Sequence, residues 1–363
     1  MPVAPVGRSC ISRILAPTQL GALTAWLLIL GYIVTLAVYA FTFGHYFANV
    51  LGGSDAVSRV AAVGVLILFF GINLRGVSAS ALTEDAVVFI KLIALCAISA
   101  VGVWHFSAHR LAPLANHGVG GLVLGAASIF VAYEGFELLA YDYDDIDNPK
   151  RTLPRALYVS VLVVIVVYIL VTLGAQMLVS DAVIVSQKEV AFATVGREAF
   201  GPVGRGIATF AALLATCSAI NATLFSSARQ MRDLADANEL PVRLEREVNG
   251  LPVAALAMLT ILASAFAMLP GLLEVLAFGS VTFLGVFALV NHLAARATRK
   301  PIPRIVAHAG SAACVGAIIA LGFELAEHDR PGLVLIVACV LGLILARLAF
   351  VKKKHHKSAG GSS

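Results

Sequence analysis

Ten predominantly apolar stretches, each 18 to 27 residues long, follow one another between residues 22 and 351. A bilayer core is about 30 Å thick and takes about 20 helical residues to cross. The stretches are 22–48, 57–74, 86–104, 119–141, 155–179, 203–227, 252–269, 272–294, 304–323 and 332–351, designated spans A to J. Their apolar residues run on without alternating at period two, so they read as helices and not as barrel strands. Only 13% of the 363 residues are charged and 60% are apolar, whereas soluble domains carry about 25% charge. No soluble core absorbs that much apolar surface. The expected fold is an all-α bundle of about ten transmembrane helices with lipid as its main solvent.

Basic residues orient the bundle. With the N-terminus in the cytoplasm, nineteen of the 26 Lys and Arg fall in cytoplasmic segments, six fall outside, and Lys91 lies within span C. That asymmetry places both termini in the cytoplasm. The chain then divides into a cytoplasmic segment 1–21, a transmembrane body 22–351 and a basic cytoplasmic tail 352–363 in the cell membrane. The net charge of +5 resides in these loops and the tail, so nucleic acid is not an expected partner. Residues 1–20 carry Arg8 and Arg13 without a continuous apolar run, which is not a cleavable signal. Cys10, Cys96, Cys217, Cys314 and Cys339 are scattered and form neither a CxxC nor a Cys/His cluster. They read as small apolar residues rather than disulfide or metal ligands. Between spans E and F, residues 181–202 carry Lys188, Glu189, Arg197 and Glu198 and predict a short helix at the outer face.

Span D is unusual. It opens on Gly118, Gly120, Gly121 and Gly125 and places Glu134 and Glu137 in the sequence FVAYEGFELLA. At 1.5 Å per residue, residues 131–135 fall near the bilayer midplane or slightly to its cytoplasmic side. An ionised carboxylate there costs several kcal/mol unless protein, water or a partner faces it. Gly135, without a Cβ, lets the helix open and turn backbone groups toward a cavity. The alternative is that Glu134 and Glu137, three residues apart on one face, hydrogen-bond a neighbouring helix. Asp142, Asp144, Asp145 and Asp147 lie at headgroup level, where a solvated hinge is expected, with Asp144 or Asp145 pairing with Lys150, Arg151 or Arg155. Thr152 is the expected cap of helix E and Pro154 its expected first-turn residue.

The run AYEGFELLA, followed by DDIDNPKRTLPRAL, resembles the sixth transmembrane helix and following loop of amino acid permeases in the amino acid–polyamine–organocation superfamily. Other stretches fit in the same order. GYIVTLAVYAFTFGHYF is similar to that family's third helix, and GINLRGVSASALTEDAVVFIKLIAL to its fourth-to-fifth helix junction. INATLFSSARQMRDLADANELP resembles the end of the eighth helix and its cytoplasmic loop. The resemblance implies two inverted five-helix repeats whose broken first and sixth helices meet at a midplane substrate site. It implies that the unwound backbone receives the substrate's amino group, which points to Phe130, Val131, Tyr133, Glu134 and Gly135, with Glu137 just below. It further implies that span A faces the same cavity, which adds Tyr39 as a candidate. On this alignment spans A to C correspond to helices three to five, so the chain carries no counterpart of the first two helices and the first repeat is incomplete.

Lys91 has two readings. It snorkels to the cytoplasm on its long stem, or it is a desolvated group that binds and releases a proton; proton-coupled permeases are similar in having a lysine at this place, which favours coupling. Thr216, Ser218 and Asn221 form a polar stripe on span F that either makes interhelical contacts or lines an ion site. His45 and His292 lie at span ends. No HExxH, GxSxG or Walker-type loop is present, so an enzyme is disfavoured and no cofactor is expected. The resulting expectation is a secondary transporter of amino acids or related amines. Coupling to protons is preferred over sodium, with Lys91 and Glu137 as candidate carriers. The rival is a non-transporting remnant or amino-acid-binding membrane protein; the oligomeric state is open.

Overall fold

The computed structural model describes residues 19–75, 81–112, 118–140, 143, 146–248, 250–269 and 272–359. These residues are all-helical apart from an isolated bridge between Val248 and Leu251. Each expected span meets a helical element. Spans A, B and C are α1 (Gln19–Leu51), α2 (Asp55–Leu74) and α3 (Ala81–Trp104). Span D starts as α4 (Gly118–Ser128) and then breaks. Span E is α5 (Pro149–Leu178), and a short α6 (Asp181–Gln187) follows. α7 (Ala191–Asp236) contains span F, α8 (Val253–Ala267) is span G, and α9 (Leu272–Ala297), α10 (Pro301–His328) and α11 (Arg330–Ala359) complete the order. Among the described residues, eight helices are long and apolar enough to cross a bilayer, nine if the bent pair in span D is one span, and α8 is shorter.

Two boundaries depart from expectation. Helix α5 begins at Pro149, with Asn148 in the left-handed region, so Pro154 lies inside the helix and not in its first turn. Thr152 does not cap; its hydroxyl donates back to the Asp147 carbonyl at 2.8 Å. A proline at the first helical position needs no N–H partner and presets the helical φ, which makes Pro149 the natural start. Segment 181–202, expected as one short helix, is helical but consists of α6, a 3₁₀ turn (Lys188–Val190) and the start of α7, which kinks where Phe200 and Gly201 leave helical geometry. Asp142, Asp144 and Asp145 lie outside the described residues, as does most of segment 1–21.

α1 is the axis of the bundle. It packs against α2, α7, α8, α9 and α11, and 83% of its most apolar 18-residue stretch is buried, against none of the corresponding stretch of α5. Leu36 of α1 meets Leu66, Ile220, Leu224, Leu256, Leu259 and Phe278 of four other helices in the main core. A second group, α3, α5 and α7, packs together beside this core. Where α3 crosses α5, Gly102 and Gly174 touch backbone to backbone, so a Cβ on Gly102 would collide with the Gly174 carbonyl. At the end of α1 toward the α7–α8 loop, Trp26 donates its indole N–H to the Glu239 carbonyl at 3.0 Å and packs against Phe350 of α11. Arg232 binds Asp233 at 2.7 Å and Glu247 at 2.5 Å and holds that loop in shape. The Trp26 contacts tie α1 to the α7–α8 loop and to α11.

Candidate functional site at the broken helix

The α-helical hydrogen bonding of span D ends at Ser128. Phe130–Tyr133 and Phe136–Ala140 continue as two 3₁₀ turns, and the two halves of the span bend by 54°. Between the turns Glu134 is extended (φ −69°, ψ 160°) and Gly135 takes φ +109°. Only glycine adopts that φ without strain. An added Cβ at Gly135 would meet open space, so a Gly135→Ala change acts through backbone strain alone, about 1–3 kcal/mol. The variant is expected to unfold about 1–4 °C lower on heating in detergent. Gly285→Ala, also in open space but on α9 at an ordinary φ, is expected to behave as wild type.

A break inside a bilayer frees backbone groups that need partners. Here two neighbouring helices, α9 and α5, and the segment's own Glu137 supply them. Ser280 of α9 accepts the Val131 N–H at 3.1 Å and donates to the Ser128 carbonyl at 2.8 Å. Tyr168 of α5 donates its hydroxyl to the Ala132 carbonyl at 2.5 Å, with its ring edge-on to Tyr133 at 4.9 Å. Glu137 accepts the Gly135 N–H at 3.0 Å and, through its other oxygen, the Tyr32 hydroxyl of α1 at 3.5 Å. Phe130 and Phe136 both rest on Phe287 of α9, at 5.7 and 5.6 Å between ring centres.

The two glutamates flank the break at Gly135. Glu134 and Glu137 interact electrostatically with each other, and Thr35 of α1 faces Glu134. Tyr39 feels both carboxyl groups and the Tyr168 hydroxyl. Tyr32, Thr35 and Tyr39 sit at positions i, i+3 and i+7, one face of α1 turned toward the break. Both carboxyl oxygens of Glu134, and the Thr35 hydroxyl, are buried without a hydrogen-bond partner among the described residues. Neither Glu134 nor Glu137 forms an ion pair with a described Lys or Arg. A charged carboxyl in this state costs several kcal/mol unless a proton or a positive partner neutralises it. Val131 contributes differently. Its side chain is buried in the core against α1 and α9, leaving its backbone as the part that faces the break.

The remaining sequence candidates lie elsewhere. Lys91 sits on α3, which packs against α5 and α7, and no hydrogen bond or ion pair joins it to Glu134 or Glu137 among the described residues. The Thr216 hydroxyl bonds back to Ala212 and Leu213 of its own helix at 3.0 and 2.9 Å. Asn221 accepts from the Asn73 side chain of α2 at 3.1 Å and ties α7 to α2. Ser218 makes no hydrogen bond among the described residues. Sequence reasoning missed Ser280, Tyr168, Tyr32 and Thr35. The spacing of the last two with Tyr39 on α1 is the one signal that could have found any of them.

An all-helical, multi-pass body with one span unwound around buried acids defines the class of broken-helix membrane proteins. The chain belongs to the amino acid permease family, whose pattern it matches over residues 7–354. It is similar to an uncharacterized protein of Methanocaldococcus jannaschii, 28% identical over 74% of this chain and 62% of that one. It is also similar to the serine/threonine exchanger SteT of Bacillus subtilis, 26% identical over 61% of this chain and 51% of the exchanger. The inner membrane transport protein YbaT of Escherichia coli is 28% identical over 59% of this chain and 51% of its own. The chain thus spans about half to three fifths of these relatives' lengths.

Proposed function

We propose that this protein is a secondary active transporter that moves amino acids or related amines across the cell membrane, with both termini in the cytoplasm. The unwound segment 130–137 receives the substrate's amino group. Phe130, Val131, Tyr133, Glu134 and Gly135 form one wall and Tyr39 the opposite one. Alternating access then consists of rocking the groups of helices against each other around the break. The observation that carries this reading is the buried carboxyl of Glu134, unpartnered beside the opened backbone, where an ammonium group would find both charge and hydrogen-bond acceptors. The family and the transporters among the relatives support it. Glu137 and Lys91 are the proposed proton carriers, with protons preferred over sodium.

The test is uptake of radiolabelled amino acids by the purified chain in proteoliposomes, with and without an inward proton gradient. Accumulation that collapses with a protonophore supports proton-coupled transport. Specific binding without uptake would assign the chain to amino-acid-binding membrane proteins instead. Lys91 is tested separately. Arginine reaches the interface as well as lysine does and stays charged at any accessible pH. Lys91→Arg is therefore expected to lose gradient-driven accumulation while retaining exchange of labelled for unlabelled substrate; full accumulation by this variant would leave Lys91 a snorkelling residue.

A further inference from the structure

We infer that Gly279 and Ser280 of α9 form a seat that positions the unwound backbone, and so set the substrate affinity of the site. The inference rests on the proposed amine site at 130–137. The break leaves the Ser128 carbonyl and the Val131 N–H without their helical partners, and the Ser280 hydroxyl serves both at once, as acceptor at 3.1 Å and donor at 2.8 Å. A hydroxyl has one proton and two lone pairs, so the pair of bonds fits its capacity. Ser280 is fully buried.

The neighbouring glycine supplies the surface on which the segment rests. A Cβ on Gly279 would stand 2.8 Å from Val131 Cγ2 and 3.5 Å from Val34 Cγ1. Val131 therefore lies flush on the α9 backbone, wedged against α1. Its β-branched side chain has little rotamer freedom with which to retreat. Ser280 pulls the backbone of the break toward α9, and Gly279 determines how near it comes. Together they fix the height at which the Ala132 carbonyl, Glu134 and Gly135 stand relative to Tyr39 and Thr35. The two residues act through the backbone they hold, as positioning residues.

Two substitutions disturb the seat in opposite ways. Ser280→Ala removes both hydrogen bonds and adds no bulk. Gly279→Ala keeps the bonds and pushes Val131 outward. Unpaired backbone groups in Ser280→Ala, and a crowded Val131 in Gly279→Ala, each displace the segment, so either variant is expected to weaken amino acid binding by about tenfold or more. Gly285→Ala, on the same helix where an added Cβ meets nothing within 4 Å, is the neutral control. The experiment measures binding of labelled amino acids to protein in nanodiscs, alongside hydrogen exchange of the 126–138 region. The expected result is faster exchange at Val131 in Ser280→Ala together with weakened binding in both seat variants. Unchanged Val131 exchange in Ser280→Ala overturns the seat. Faster exchange with wild-type affinity in both variants overturns its role in positioning the site. The exchange measurement needs no substrate, so it judges the hydrogen-bonded seat even where the wild type binds no amino acid, the outcome that refutes the proposed site itself.

Discussion

Glu137→Gln is expected to render uptake indifferent to pH and to abolish accumulation driven by a proton gradient, while the protein folds and inserts normally. Glutamine has the same shape and keeps an oxygen to accept the Gly135 N–H, which Glu137 holds at 3.0 Å. Its amide nitrogen can donate to the Tyr32 oxygen where the carboxylate now accepts from it at 3.5 Å. What it lacks is a proton to exchange. Geometry and titration are thereby separated. Glu137→Ala is the contrasting variant, because it strands the Gly135 N–H at a cost of about 1–3 kcal/mol and is expected to lose exchange as well as accumulation. Uptake by Glu137→Gln with the wild-type pH profile would remove Glu137 from the coupling path. Loss of folded protein in Glu137→Gln would reduce it to a structural brace for the break.

The largest effect on folding is expected from Gly102→Val. At the α3–α5 crossing, Gly102 and Gly174 meet through their backbones, and a Cβ on Gly174 would likewise crowd the Ser99 carbonyl at 2.5 Å. Backbone cannot rotate away as a side chain can, so the two helices must separate along their length. Overpacking of ordinary side chains costs about 1–3 kcal/mol, and a clash with main chain exceeds that. In a membrane, where close packing and not the hydrophobic effect holds helices together, the second group of helices is expected to come apart. Size-exclusion profiles of the solubilised variant should show aggregate in place of a single peak. Gly71→Val on α2, where an added Cβ meets open space, should elute as wild type. A monodisperse Gly102→Val protein would mean that the crossing contributes little to assembly.

The helices themselves were readable because a membrane span needs only length and apolarity. Which face of each helix is buried was not. In water an apolar stripe marks the core, but in lipid both faces are apolar, and nothing in the pattern distinguishes α1, buried nearly all round, from α5, exposed along its apolar length. The break in span D could be located because Gly135 and two acids are costly in hydrocarbon and therefore conspicuous. Its partners could not. Ser280 looks like Ser160, which merely bonds its own helix at Leu157, and Tyr168 looks like Tyr158, which is exposed. Their roles depend on the approach of chain segments 149 and 36 residues away. The start of α5 was misplaced for a local reason. Two prolines compete for the first turn, and the position was assigned to Pro154 although Pro149 with left-handed Asn148 begins the helix.

The burial of α1 has a consequence for how the protein is made. This helix leaves the ribosome first among the described elements, yet several of its neighbours are encoded far downstream; Trp26 ends against Phe350 of α11. At translation rates of roughly 5–20 residues per second, α1 spends roughly 16–65 s in the bilayer before that partner is synthesised. During this interval Thr24, Tyr32 and Thr35, all buried in the finished protein, have only lipid, the insertion machinery or early helices for company. Thr24 bonds its hydroxyl to the Leu20 carbonyl one turn back at 2.9 Å, a bond that α1 can make alone. Tyr32 and Thr35 face a segment that does not yet exist. The nascent chain must hold its future axis in a half-dressed state until the downstream helices arrive.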